Sequence, residues 1–233
     1  RHDSVVRVID FGEFEGLPYL VMEYVPGPSL LGMITERGRF TAPEAINIAL
    51  CIADALNAFH ERRLVHRDLK PSNILVSRDC VLKISDWGLV KSSLNIESTT
   101  RGVVKGTPGY IAPEVWGGTR DFKPAADLFA LGAMLYEMLV GLPPYYDETA
   151  TDDATFQRIL RDRPRFPSFV SAVAKKIVLG LMEPDTTRRL GCMSGGCDDV
   201  RGHAWFAGLD WEAVASNSQE MPFVPRLDGE DDL

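Results

Sequence analysis

The sequence predicts an α+β fold that is mostly helical. Three observations carry that expectation: two pairs of short β-rich runs, each pair joined by turn-forming residues; an amphipathic stretch that begins at Thr41; and a stretch from 125 to 140 that is apolar nearly all round. A chain of 233 residues can bury one substantial core, and the pattern reads as a single domain.

Residues 4–11 and 17–23 are the first β-rich pair, with Glu13-Phe14-Glu15-Gly16 as the turn between them. Pro26-Gly27-Pro28 then breaks the chain. Thr41-Ala42-Pro43-Glu44 is a capping box with proline in the first turn, after which Ala49, Ile52, Ala53, Leu56 and Phe59 recur at helical spacing. That helix delivers the chain through Leu64-Val65 into a polar stretch. Asn73-Ile74-Leu75-Val76 and Val81-Leu82-Lys83-Ile84 flank Ser77-Arg78-Asp79-Cys80 as a second hairpin, which carries Asn73 and Asp86 to neighbouring ends. From Lys91 to Lys105 the sequence is polar and reads as a surface loop. In the apolar stretch 125–140, Asp127 demands a partner, because an unpaired carboxylate there costs several kcal/mol.

Composition excludes several classes. Hydrophobic content of 45% with 25% charged residues is ordinary for a globular protein, and no apolar run approaches the roughly 20 residues a membrane-spanning helix needs, so no membrane span is expected. Arg1-His2-Asp3-Ser4 has no signal-peptide pattern, and the chain reads as starting mid-domain. Cys51, Cys80, Cys192 and Cys197 form no C-x-x-C, so reduced thiols and an intracellular, cytoplasmic setting are expected. His203 with Cys192 and Cys197 could suggest a metal, but Trp205 and Phe206 beside the histidine favour a packed helix end. A net charge of −8 argues against a general nucleic-acid surface.

The chemistry concentrates in residues 66–88: His66-Arg67-Asp68-Leu69-Lys70-Pro71-Ser72-Asn73, the hairpin, then Asp86-Trp87-Gly88. Phosphoryl transfer from a nucleotide needs a carboxylate beside the accepting hydroxyl, a cation at the moving phosphoryl group and oxygen ligands for Mg²⁺; Asp68, Lys70, Asn73 and Asp86 supply these parts. With Ala112-Pro113-Glu114 further on, the run resembles the eukaryotic-type protein kinase signature set in its usual order. A solvated loop with scattered charge would not reproduce that order and spacing.

The resemblance implies a protein-kinase-like large lobe with the last two strands of the small lobe: residues 1–23 as the strand hairpin, 24–28 as the hinge, 29–206 as the large lobe and 207–233 as the start of a C-terminal tail. It implies ATP and Mg²⁺ as cofactors, with Asp68 as catalytic base, Lys70 at the γ-phosphate, and Asn73 and Asp86 as metal ligands. Met22 is then the gatekeeper, and Glu23 and Val25 belong to the hinge that meets adenine. Leu75 is either the apolar floor under adenine or a plain core residue. Thr107, in Gly106-Thr107-Pro108-Gly109-Tyr110, is implied to bond the catalytic aspartate; Lys70 and Thr107 together favour Ser/Thr over Tyr substrates. Arg67 is implied to meet an activation-loop phosphate. Val103 stands where the resembled subfamily usually has threonine, so the candidate phosphosites are Ser98, Thr99 and Thr100, each of which reads equally as a solvated loop residue. Trp87 replaces the usual phenylalanine. Asp127 is implied to hold the catalytic-loop backbone, and Glu114 to pair with Arg189.

Arg189-Leu190-Gly191, His203-Ala204-Trp205-Phe206 and Pro222-Phe223-Val224-Pro225 are similar to the end of the large lobe in the AGC group, the cyclic-AMP-dependent-kinase-like Ser/Thr kinases. Where that group places acidic residues to grip upstream arginines, this chain carries Ser29 and Ser72, then Glu137, which reads equally as a group paired inside the fold. The sequence contains no G-x-G-x-x-G loop, no strand lysine in a V-A-I-K context and no partner glutamate, so the chain reads either as a piece of a longer kinase, the favoured expectation, or as a natural chain that lacks those parts, and it is expected to have little activity by itself. The expected activity of the intact chain is ATP-dependent phosphorylation of Ser/Thr residues in protein substrates. A catalytically silent kinase-like binding module is the alternative, and a small-molecule phosphotransferase is disfavoured by the G-T-P to A-P-E segment.

Overall fold

In a computed structural model, which describes residues 2–87, 108–116 and 123–207, the chain is α+β and mostly helical, as its pattern predicts. Two antiparallel hairpins, β1 (Val8–Phe14) with β2 (Leu17–Met22) and β3 (Ile74–Val76) with β4 (Leu82–Ile84), form separate two-stranded sheets. Around them lie α1 (Leu30–Arg37), α2 (Ala42–His60), α3 (Pro124–Val140), α4 (Asp152–Arg161), α5 (Ala172–Leu181) and α6 (Cys197–Arg201).

The first hairpin corrects the sequence expectation. Its turn is the two residues Glu15 and Gly16, both at positive φ (51° and 77°), which suits the tight turn that matches strand twist. Glu13 and Phe14 are therefore strand residues. Residues 4–6 leave the hairpin and run beside β4 instead: the Val6 amide donates to Ile84 O (2.9 Å) and the Ile84 amide to Ser4 O (2.9 Å). Burial explains the divergence, since Val6 packs into the core while most of β1 and β2, Phe11, Phe14 and Leu17 among them, stands exposed.

The amphipathic segment is α2. At its start Glu44 accepts from both the Thr41 amide and hydroxyl (2.7 Å each), and Pro43 sits in the first turn, where its missing N–H costs nothing. Ala45, Ile48, Ala49, Ile52, Ala55 and Leu56 face the core. By length and composition α2 could cross a membrane, which the sequence reading did not anticipate; its packing against α3 and β4 makes it a core helix. Helix α3 is buried all round, as its pattern requires. It crosses α5 so closely that a Cβ on Gly132 would stand 2.7 Å from Leu181 Cβ. Only glycine permits that approach.

Candidate active site

Asp127, in the first turn of α3 and only 1% exposed, organises the polar stretch. One carboxylate oxygen accepts from the His66 amide (2.9 Å) and from His60 Nε2 (2.8 Å), and the other accepts from the Arg67 amide (3.1 Å). Arg67 has φ 74°, a left-handed conformation that a side chain disfavours, so clamping its amide from a buried helix fixes an otherwise costly turn. His60 escaped the sequence reading. The available signal was a histidine four residues after core-facing Leu56 in the last turn of an amphipathic helix, where a cation also suits the helix dipole.

His66 is fully buried. Its Nε2 lies 2.8 Å from Ser85 O and its Nδ1 accepts from the Asp68 amide at 3.3 Å. The carbonyl can only accept, so Nε2 carries the proton and Nδ1 does not. Burial holds the histidine pKa below its ordinary value, against the opposing pull of Asp127, Ser85 O, Asp68 and Asp86. A depressed folded pKa means that stability present above about pH 6.5 is lost as pH falls, because the unfolded chain takes a proton that the folded one resists. Urea midpoints followed from pH 8 to 5 should decline on the acid side, and His66→Phe should flatten that decline while lowering stability throughout. An unchanged profile in the variant would remove His66 as the source.

The bonded loop continues through Asp68, whose Oδ2 is 3.2 Å from Lys70 Nζ, with both side chains partly open to solvent. Pro71–Asn73 forms a single 3-10 turn. Asn73 donates its side-chain Nδ2–H to Asp68 O (2.8 Å), which orients the side-chain oxygen away from that bond, and its main-chain carbonyl accepts the Ser85 amide (2.8 Å) and hydroxyl (3.1 Å). Ser85 thus ties the end of β4 to the loop, and the next residue is Asp86, exposed and at φ 56°. One carboxylate and one amide oxygen suit Mg²⁺, which keeps most of its shell for water and phosphate oxygens; the donor set fits that ion. Among the described residues no cluster of three His, Cys, Asp or Glu offers a closed cage.

The segment after β2 lies along β3. Pro28 O accepts the Val76 amide (3.0 Å), Ser29 bridges Leu75, and Gly27, at φ 152°, sits where a Cβ would be 1.9 Å from Val76 O. Glycine is obligatory there. Glu23 bonds Lys83 Nζ on β4 (2.7 Å) and the Arg7 amide (2.9 Å); the lysine first and the amide second hold its carboxyl below the usual range. Val25 is buried, Leu75 half-buried opposite Lys83, and Met22 37% exposed. Ser29, read only as a missing acid, caps α1 by accepting from the Gly32 amide (3.1 Å).

A second constellation stands apart from this loop. Arg189, 0% exposed, forks onto Glu114 (2.6 and 2.8 Å) and donates to Ala125 O (2.7 Å), Glu183 O (2.8 Å) and Pro184 O (3.3 Å). It joins the segment after Ala112-Pro113 to the start of α3. Glu137 is buried and accepts from the Tyr110 hydroxyl; burial raises its pKa, and the same burial, together with Glu137's charge, pushes Tyr110 far above a normal phenol. Of the two readings of Glu137, the structure shows the internal one. His203 Nδ1 accepts the Trp205 amide (3.1 Å) beside buried Trp205 and Phe206, a packed turn. Trp87 lies against Phe59 and His66. Thr107, Ser98, Thr99 and Thr100 lie outside the described residues.

The sequence matches the protein kinase domain over residues 1–206. It is 35% identical, over its whole length, to the mouse cAMP-dependent protein kinase catalytic subunit PRKX, of which it spans 64%. It is 37% identical over 97% of its length to the fruit fly cAMP-dependent protein kinase catalytic subunit 3, spanning 37% of that protein. A probable cAMP-dependent protein kinase catalytic subunit of Encephalitozoon cuniculi is 40% identical over 88% of the chain and 61% of its own length. The chain spans less than two thirds of these relatives, but the domain match covers nearly all of it, and the chain belongs to the protein kinase family.

Proposed function

We propose that the protein carrying this chain transfers the γ-phosphoryl group of ATP to serine and threonine hydroxyls of protein substrates inside the cell. The observation that supports the reading best is the loop in which Asp68, Lys70 and Asn73 are bonded together, anchored by Asp127 and tied through Ser85 to Asp86. Asp68 orients the accepting hydroxyl and takes its proton, while Lys70 meets the charge on the moving phosphoryl group. Asn73 and Asp86 would hold Mg²⁺, which when bound neutralises charge on the phosphate oxygens. The backbone at Glu23 and Val25 meets adenine, with Met22 as the gatekeeper beside it and Leu75 beneath. The reading includes a bond from Thr107 to Asp68 and a phosphate on Ser98, Thr99 or Thr100 received by Arg67.

The test uses the full-length protein, MgATP and a Ser/Thr/Tyr peptide array. Phosphate should appear on serine and threonine peptides, with weak preference for arginine three residues upstream, because Ser29 caps a helix and Glu137 is engaged by Tyr110. Asp86→Ala should remove the magnesium-dependent part of ATP binding. Tyrosine-only transfer would sink the substrate reading, and MgATP affinity untouched by Asp86→Ala would sink the ligand assignment.

A further inference from the structure

Asp86 is a non-glycine residue in the left-handed region, φ 56°, with its side chain exposed. Such a conformation costs about 1 kcal/mol or more and persists only where both flanks are held. On its N-terminal side the hold is polar: Ser85 donates its amide and hydroxyl to Asn73 O, and its carbonyl accepts from His66 Nε2. On its C-terminal side the hold is aromatic. The Trp87 indole stacks on the Phe59 ring, centroids 3.8 Å apart and planes 21° from parallel, and tilts against the His66 ring at 4.8 Å.

The stack is not explained by hydrogen bonding. Trp87 Nε1 is buried and has no hydrogen-bond partner among the described residues, a loss of about 1–3 kcal/mol that a phenylalanine at this position would avoid. The indole must gain elsewhere what that orphaned donor loses, and the contact that distinguishes it is the near-parallel overlap with Phe59. An indole offers more face for such overlap than a phenyl ring does.

We infer that Phe59, on the last turns of α2, is a positioning residue: through its stack with Trp87 it fixes Asp86 in the orientation that binds a magnesium-bound nucleotide. Phe59 touches no reacting atom and acts through Trp87. The inference rests on the proposed role of Asp86, and its test separates the two.

In the full-length protein, nucleotide affinity is measured by calorimetry with and without Mg²⁺ for wild type, Phe59→Leu, Phe59→Tyr and Trp87→Phe. Loss of the stack should weaken binding of the magnesium complex roughly three- to tenfold in Phe59→Leu. Binding of the magnesium-free nucleotide should change by less than about twofold. Phe59→Tyr, which keeps the ring, should behave as wild type. Trp87→Phe should show the same magnesium-specific loss to a smaller degree, which keeps the test open if Phe59→Leu folds poorly. Equal weakening with and without Mg²⁺ would make the stack ordinary packing and overturn the inference, as would no weakening at all. If wild type itself shows no magnesium-dependent nucleotide binding, the role assigned to Asp86 falls first, and the inference falls with it.

Discussion

Asp68→Asn in the full-length protein should lower kcat for peptide phosphorylation by about 10²- to 10⁴-fold while leaving the KM for ATP nearly unchanged. The asymmetry follows from the geometry. Asp68 contributes through its side chain to the accepting hydroxyl, whereas its main chain contributes to architecture: the Asp68 carbonyl accepts from Asn73 and its amide donates to His66. Asparagine keeps both main-chain bonds and nearly the same shape. It loses the negative charge that takes a proton and the ion pair with Lys70, whose partly exposed ends make it worth little to stability. A stable, ATP-binding, nearly inactive variant is the expected result. Transfer at close to the wild-type rate would show that Asp68 is not the base, and a matching rise in the KM for ATP would place it instead in nucleotide binding.

What the sequence disclosed, it disclosed through strong local signals. The capping box at Thr41, the period of α2 and the unbroken apolarity of α3 each specify an element with little help from the rest of the chain, and the structure shows all three. The first hairpin departs from its sequence pattern at both ends because strand identity is a matter of pairing. Nothing local tells residues 4–6 that β4 is a better neighbour than β2, since β4 lies some 80 residues later and the decision depends on burying Val6. The site divides the same way. Asp68, Lys70, Asn73 and Asp86 stand close in sequence or across one short hairpin, so their order alone brought them to notice. His60 on Asp127, Lys83 on Glu23 and Tyr110 on Glu137 are pairings between distant segments of residue types that are common on surfaces. Only a tertiary structure distinguishes them from solvated side chains. Ser29 is instructive in another way: the pattern marks it only as the lack of an acid, yet it has a task of its own at the start of α1.

The other large effect is on stability, and it lies at Arg189. Arg189→Ala should destabilise the protein by about 3–5 kcal/mol, read as a lowered urea midpoint at unchanged slope. The ion pair with Glu114 is the smaller part of that loss, because the carboxylate is 28% exposed and water can take over from the guanidinium. The larger part comes from the carbonyls of Ala125, Glu183 and Pro184, which lose a shared donor at a site where the arginine is fully enclosed, and from the space left beside Phe129, whose ring lies 5.2 Å from the guanidinium carbon. Two companion variants separate these contributions. Glu114→Gln removes charge but keeps an acceptor and should cost about 1 kcal/mol or less. Arg189→Met fills the volume without a donor and should recover part, not most, of the alanine loss. Because Ala125 and Asp127 share the first turn of α3, slackening there should reach the amides of His66 and Arg67, so hydrogen exchange at those two amides should quicken in Arg189→Ala beyond what global stability explains. A destabilisation below about 1 kcal/mol, or exchange at both amides that merely tracks global unfolding, would show that the Arg189 constellation is neither a main support of the fold nor linked to the loop that holds Asp68.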